Sequence, residues 1–180
     1  MLTFIALLRA VNVAGKNLLN MQALQTALAE NGFINPDTYI QSGNVVFQHS
    51  ESSIEKIKTQ LKNCLKNDFN LEVEVQLFSA IEFIRIVEKN PFLPEVKIED
   101  LYLTFLFKKP NAEAVHSFPI SGNDRWGIQD QVVYLHCPDG YGKTKLSNNL
   151  IESKFKSAAT TRNGRTCLKL VEMAGKMDNE

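Results

Sequence analysis

The stretch CPDGYGKT, residues 137 to 144, ends in Gly142, Lys143 and Thr144, which is the close of a phosphate-cradling loop. In the pattern G-x-x-x-x-G-K-[ST], glycine N–H groups hold a phosphate chain, the lysine reaches the terminal phosphates and the hydroxyl meets magnesium. Cys137 stands where the first glycine belongs. A loop of that kind also needs the first strand of a parallel sheet with several β-α units after it, and barely one α-β-α follows Thr144 here. Ser147, rather than Thr144, occupies the position of a helix cap, and no acidic strand end follows to hold a metal. A nucleotide-binding loop is therefore set aside. Two readings stay open: a simpler anion contact, in which turn N–H groups act with Lys143 and Lys145 beside a helix start, and a plain solvated turn.

Other residue types that could do chemistry are sparse. The three cysteines, Cys64, Cys137 and Cys167, are far apart and include no C-x-x-C, which fits reduced thiols in a cytoplasm better than a disulfide frame. His49, His116 and His136 show no paired ligand spacing with them, so no metal site is expected. There is no G-x-S-x-G, and the S-x-x-K from Ser53 to Lys56 falls inside an amphipathic helix pattern. No motif names a cofactor. Twenty basic residues balance twenty acidic ones, so no global field draws the chain toward nucleic acid or an anionic membrane. The opening MLTFIALLRAVNVAG lacks a basic leader and is closed by Arg9, which makes it a buried strand rather than a secretion signal. No stretch approaches the roughly 20 apolar residues of a membrane span.

The elements that must position any site follow from periodicity. Strand LTFIALL (2–8) leads through a polar loop to a helix from Met21, with Met21, Leu24, Ala27 and Leu28 on one face and Gly32 as its stop. TYIQ, the turn Ser42-Gly43-Asn44 and VVFQ form a hairpin pattern. Ser52 with Glu55 predicts a capping box for a helix carrying Ile54, Ile57, Leu61, Cys64 and Leu65 on one side, which places Cys64 in the core. Strand EVEVQLF (72–78) follows, then a second capping box, Ser79 with Glu82, opens a helix that must end before Pro91. NPFLPEVKIED is the natural linker. Beyond it the order recurs: strand 101–107, a short helix at 112–118, strands RWGIQ and QVVYLH, helix LSNNLIESKF, extended AATT, and a last helix at 166–173. The expected fold is α+β: two tandem ferredoxin-like βαββαβ halves with antiparallel sheets, each followed by an extra helix. The halves are residues 1–90 and 97–180, and the repeated order implies internal duplication.

Four blocks carry a family resemblance: ALLRAVNVAGKN (6–17), TYIQSGNVVF (38–47), GYGKTKLSNNLIE (140–152) and AATTRNGRTCLKL (158–170). In sequence and order they closely resemble the bacterial domain-of-unknown-function 1697 family, over nearly the whole chain. The resemblance implies an α+β protein of two related halves and assigns no activity. The family pattern has Gly where Ala10 and Ala14 stand, and an aromatic where Gly164 follows Arg162-Asn163. Matched by position, its polar motif residues are Arg9, Asn12, Lys16, Asn17, Ser42, Asn44, Lys145, Thr160, Thr161, Arg162 and Asn163.

These are donors, amides and cations, without histidine, motif cysteine or a carboxylate pair. That set suits holding a phosphate or carboxylate more than moving protons near neutral pH. The expectation is a cytoplasmic bacterial protein that binds a small anionic ligand in a cleft between the halves, with catalysis left open. In this reading the Arg9–Asn17 loop and the Ser42 turn lie at opposite ends of half one, and Lys145 and Arg162 at opposite ends of half two. A structural role rivals it, with Asn12, Asn17 and Asn44 capping turns. Two further functions compete with anion binding. Single-stranded nucleic acid could stack on Phe4, Tyr102 and Phe105, as in tandem RNA-recognition folds; the neutral charge and the lack of a K/R-G-aromatic start on the third strands disfavour it. The other is a structural or partner-binding protein, monomer or homodimer, with no membrane role.

Overall fold

The computed structural model describes residues 1–119 and 122–178. In chain order the first half contains β1 (Leu2–Leu8), α1 (Met21–Glu30), β2 (Ile34–Tyr39), β3 (Asn44–His49), α2 (Ile54–Phe69), β4 (Val75–Ser79) and α3 (Ala80–Glu88). After a single 3-10 turn at Ile98–Asp100, the second contains β5 (Leu101–Leu106), α4 (Ala112–His116), β6 (Arg125–Gln129), β7 (Val132–His136), α5 (Asn148–Phe155), β8 (Ala159–Asn163) and α6 (Gly164–Met177). The strands form two antiparallel sheets, ordered β2-β3-β1-β4 and β6-β7-β5-β8. Both sheets have the same order, that of a ferredoxin-like unit, so the α+β class and the duplicated pattern hold.

Two compact units divide the chain: Met1–Arg85 together with the chain from Lys169, and Ile86–Leu168. In the first, β1 is a central strand and is buried on both faces from Thr3 to Leu8. Its Phe4, Ala6 and Leu8 meet Val45 and Phe47 of β3 and the apolar stripes of α1 and α2, including Leu24, Leu28, Ile57 and Leu61. The helical period of four buried residues in α1, and Cys64 beneath α2, fall where periodicity puts them. On the opposite face Thr3 Oγ1 donates to Asp178 Oδ1 at 2.6 Å and Gln48 Nε2 donates to the Met177 carbonyl at 2.9 Å. The end of α6 is thereby fixed to this sheet.

In the second unit Leu106, Val133 and Leu135 pack with Ile151 and Phe155 of α5, and Phe118 stacks on Phe155 at 4.8 Å. On the other face Tyr134, 1% exposed, donates its hydroxyl to the Ile86 carbonyl at 2.9 Å. A buried phenol needs such a partner, because an unsatisfied polar group costs more than the bond returns.

Three local expectations are corrected. The box of Ser52 with Glu55 does not form: α2 has Ser53 at its N-cap without a side-chain cap bond. Instead Glu51 Oε1 accepts from the N–H groups of Ser52 and Ser53, both at 2.9 Å, and Oε2 pairs with Lys56 at 3.0 Å. A carboxylate at a helix start makes stronger, charge-assisted bonds than a hydroxyl. β4 begins at Val75 rather than residue 72, because its ladder partner β1 ends opposite it, Leu8 facing Val75. The last helix is longer than the periodic run, since Asn163 Oδ1 accepts from Arg165 N–H at 2.8 Å and starts it at Gly164. The second box keeps its forward half, Glu82 N–H to Ser79 Oγ at 3.3 Å.

Candidate functional site

The β1–α1 loop is itself a small hairpin. Val13 and Lys16 form an isolated antiparallel bridge, with Lys16 N–H donating to the Val13 carbonyl at 3.0 Å and Asn12 N–H to the Asn17 carbonyl at 3.1 Å. The two residues between them, Ala14 (φ 50°) and Gly15 (φ 74°), are both left-handed, the signature of a type I′ turn. Ala10, Asn12 and Asn17 are left-handed as well, at 55°, 54° and 48°. Asn tolerates this conformation because its amide can bond locally.

Those amides are engaged. Asn12 Nδ2 donates to the Leu19 and Gln41 carbonyls at 2.9 and 2.8 Å, and its Oδ1 accepts from Leu19 N–H at 2.8 Å. Asn17 Nδ2 donates to the Ala10 carbonyl at 2.9 Å. Asn44, fully buried, donates to the Tyr39 carbonyl at 3.0 Å and to Ser42 Oγ at 2.9 Å. Gly43 is required where it stands: a Cβ there would lie 2.7 Å from Leu8 Cβ, and its φ is 73°. The Asn12–Gln41 bond and the 2.8 Å bond from Leu8 N–H to the Gly43 carbonyl put the Arg9–Asn17 loop and the Ser42 turn at one end of the half. The expectation of opposite ends is corrected. β3 runs antiparallel to β1, so the start of β3 lies beside the end of β1, Asn44 facing Leu7.

The second half is arranged in the same way. His136, which ends β7, and Asn163, which ends β8, pair with neighbouring residues at the start of β5. Accordingly the 137–147 loop and the Thr160–Asn163 segment share an end, and this too replaces the expected separation. Tyr141 Oη donates to Thr161 Oγ1 at 3.3 Å; Thr161 in turn lies 3.1 Å from Asn148 Oδ1 and 2.8 Å from Thr104 Oγ1. Arg162 is 7% exposed and donates through one Nη to Thr160 Oγ1 at 2.7 Å and to the Thr161 carbonyl at 3.0 Å. Burial draws its guanidinium down to about 10. Asn163 Nδ2 holds the Glu99 carbonyl at 3.0 Å. Lys143 and Lys145 are exposed, and Thr144 Oγ1 is turned to Asp124 at 2.5 Å. Because α5 begins only at Asn148, capped by Ser147, the Gly-Lys-Thr run does not open a helix as a phosphate loop would.

A concave site does form in the first half. Arg9, Ala10 and Asn17 line one side of a groove of about 410 Å³, and Lys62, Asn63 and Lys66 of α2 line another, with Glu72 and Glu74 closing it. The groove exists because α2 ends in a Schellman turn: Asn70 is left-handed (φ 52°), and Leu71 N–H reaches back to the Leu65 carbonyl at 3.0 Å. The chain then doubles back along the helix. Lys62 meets Glu74 and Lys66 meets Glu72, each at 2.7 Å, and Arg9 N–H donates to the Glu74 carbonyl at 2.9 Å. Bonding to these lysines holds both carboxyls below their ordinary range, with the Arg9 charge adding to the effect at Glu74. Three cations thus face two carboxylates.

Of the residues expected from the motif blocks, the groove contains Arg9 and Asn17. Sequence reasoning missed Lys62, Lys66, Glu72 and Glu74. Their signal was present, lysines one helical turn apart followed by acids two apart, but it has the form of any solvated face.

Thiol chemistry finds no support in the three cysteines. Burial pushes the thiols of Cys64 and Cys167 up to about 12 and that of Cys137 to about 11, so none ionises near neutral pH. No group of three or more His, Cys, Asp or Glu residues that could hold a metal is found among the described residues. No helix among them is long and apolar enough to cross a membrane.

Comparison with known proteins adds family and fold. The family described as "Protein of unknown function (DUF1697)" matches residues 1–134. The chain is similar in structure to the conserved bacterial protein SP0830 from Streptococcus pneumoniae, with a TM-score of 0.79 and 22% identity over 97% of this chain and 99% of that one. Among curated proteins, none matches.

Proposed function

We propose that this chain, which belongs to the DUF1697 family of proteins of unknown function, binds a small phosphate- or carboxylate-bearing ligand at the Arg9 end of its first half. One observation carries the reading: the groove gathers Arg9, Lys62 and Lys66 with the amides of Asn17 and Asn63. Arginine supplies a planar fork for an anion, the lysines supply point charges and the amides fix orientation. The ion pairs that occupy the lysines are exposed, with Lys66 61% and Glu72 74% exposed, and pairs of this kind are worth little to the fold. An incoming anion can replace them at small cost. Reduced, buried thiols support a cytoplasmic setting.

A thermal-shift series with phosphate, phosphorylated metabolites and dicarboxylates tests this. A ligand at 100 times its dissociation constant adds about 2.7 kcal/mol, a rise of about 5 to 10 °C for a chain of this length. Arg9→Ala is expected to abolish the rise while leaving the unliganded melting temperature within about 2 °C, as a partly exposed substitution should. A rise that survives Arg9→Ala would place the ligand elsewhere.

Exposed apolar residues favour a second reading, partner binding. Val13, Leu18 and Ile40 are 56%, 73% and 51% exposed, in the β1–α1 loop and the β2–β3 turn that Asn12 ties together. Self-association that is lost in Leu18→Ser and indifferent to anions would promote it. The nucleic-acid reading loses its stacking platform, since Phe4 and Phe105 are each 1% exposed and Tyr102 packs on Tyr141 at 4.8 Å.

A further inference from the structure

The paired ion bridges in the groove point to a more specific ligand, and the inference rests on the anion-binding reading above. We infer that the groove selects a ligand carrying two anionic groups, which displaces Glu72 and Glu74 together from Lys66 and Lys62. Lys62 and Lys66 are four residues apart on α2, so their attachment points repeat at about 6 Å along the helix. Glu72 and Glu74 are two apart on the returning segment, where exposure alternates from Leu71 to Glu74 as it does in extended chain. Two extended residues span about 6.6 Å. The two spacings match, and the result is a pair of parallel bridges of equal length, 2.7 Å each.

The protein's own Glu-Val-Glu therefore displays the geometry of the ligand that would replace it. A mono-anion exchanges with one carboxylate and leaves the second bridge in place. A bis-anion of matching span exchanges with both, and once its first group is held the second binds at high effective concentration. Arg9, anchored through its N–H to the Glu74 carbonyl, adds a third cation at the Lys62 side. Carboxylates and phosphates share this chemistry, and the test separates them.

Isothermal titration calorimetry would compare adipate with hexanoate, and ethane-1,2-diol bisphosphate with ethyl phosphate, on the wild type, Arg9→Ala, Lys66→Ala and the double variant Glu72→Ala with Glu74→Ala. On the wild type at least one bis-anion is expected to bind about tenfold or more tighter than its mono-anion partner; which pair shows it tells whether carboxylate or phosphate is preferred. That advantage should fall below about threefold in Lys66→Ala, where one member of the lysine pair is gone. In the double variant both bis-anions should bind tighter than on the wild type, because their internal competitors are removed. Equal binding of mono- and bis-anions on the wild type, both lost in Arg9→Ala, would overturn the inference and leave the anion-binding reading intact. No tightening in the double variant would also overturn the inference. Absence of binding by every probe would overturn that reading and the inference with it. All four exchanged residues are partly or largely exposed, and circular dichroism melts of each variant check that the fold is retained.

Discussion

At the scale of single residues, Ala14 stands in a conformation that suits glycine better. Its φ of 50° belongs to the first central position of a type I′ turn. A left-handed alanine costs about 1 to 2 kcal/mol, whereas glycine there costs the unfolded chain about 0.4 to 1 kcal/mol in added freedom. The first term is larger, so Ala14→Gly should stabilise the protein by about 0.5 to 1 kcal/mol. Urea unfolding reads this as a higher midpoint at unchanged slope. The family resemblance names glycine at this position, but the sequence alone does not reveal the backbone conformation that makes the difference matter. Glu51 gives a second residue-level test. Two backbone N–H groups and Lys56 hold its carboxyl down to about 2, so it contributes stability that is present above its ordinary range near 4.5 and lost as pH falls toward 2. Glu51→Ala should therefore melt earlier than the wild type at pH 7, with the gap closing between about pH 4.5 and pH 2. A gap independent of pH would show that the capping bonds do not depend on the charge.

At the scale of elements, legibility followed periodicity and failed at ends. α1 was readable because Met21, Leu24, Ala27 and Leu28 repeat at the helical period and Gly32 stops it; all four are buried. The start of α2 was misread because Ser52 and Glu55 satisfy a capping pattern that Glu51, one residue earlier, outcompetes. The strand pattern at 72–78 predicted extended backbone correctly in character, but a ladder needs a partner, and the pairing with β1 ends at Leu8 apart from one bond from Arg9 N–H to the Glu74 carbonyl. That return segment, outside the strand ladder, is what supplies Glu72 and Glu74 to the groove. α6 shows a different limit: its periodicity was visible, but what its face packs on was not. Leu170 and Ala174 are fully buried, and the element's end is held by Thr3 and Gln48 of the first sheet. Leu170→Ala is expected to cost about 2 to 5 kcal/mol, as deletion of a fully buried leucine does. A cost below about 1 kcal/mol in chemical denaturation would mean that this face contributes little to the core.

At the scale of the whole molecule, duplication organises the candidate residues. Both sheets share one strand order, and in each half the two motif blocks meet at one end, through Asn12 and Gln41 in the first and Tyr141 and Thr161 in the second. Most motif amides hold backbone there, which explains why residue types alone could not separate scaffold from site. With no net charge to steer a ligand, recognition has to come from a local arrangement of cations, and the Arg9 groove is one. The most direct test is a titration of the isotope-labelled protein with inorganic phosphate, following backbone amides by ¹H–¹⁵N correlation spectra. Anion binding at the Arg9 groove predicts saturable shifts concentrated at Arg9, Ala10, Asn63, Lys66 and Glu72. Shifts confined to the Gly142–Lys145 turn, or none at tens of millimolar phosphate, would contradict it.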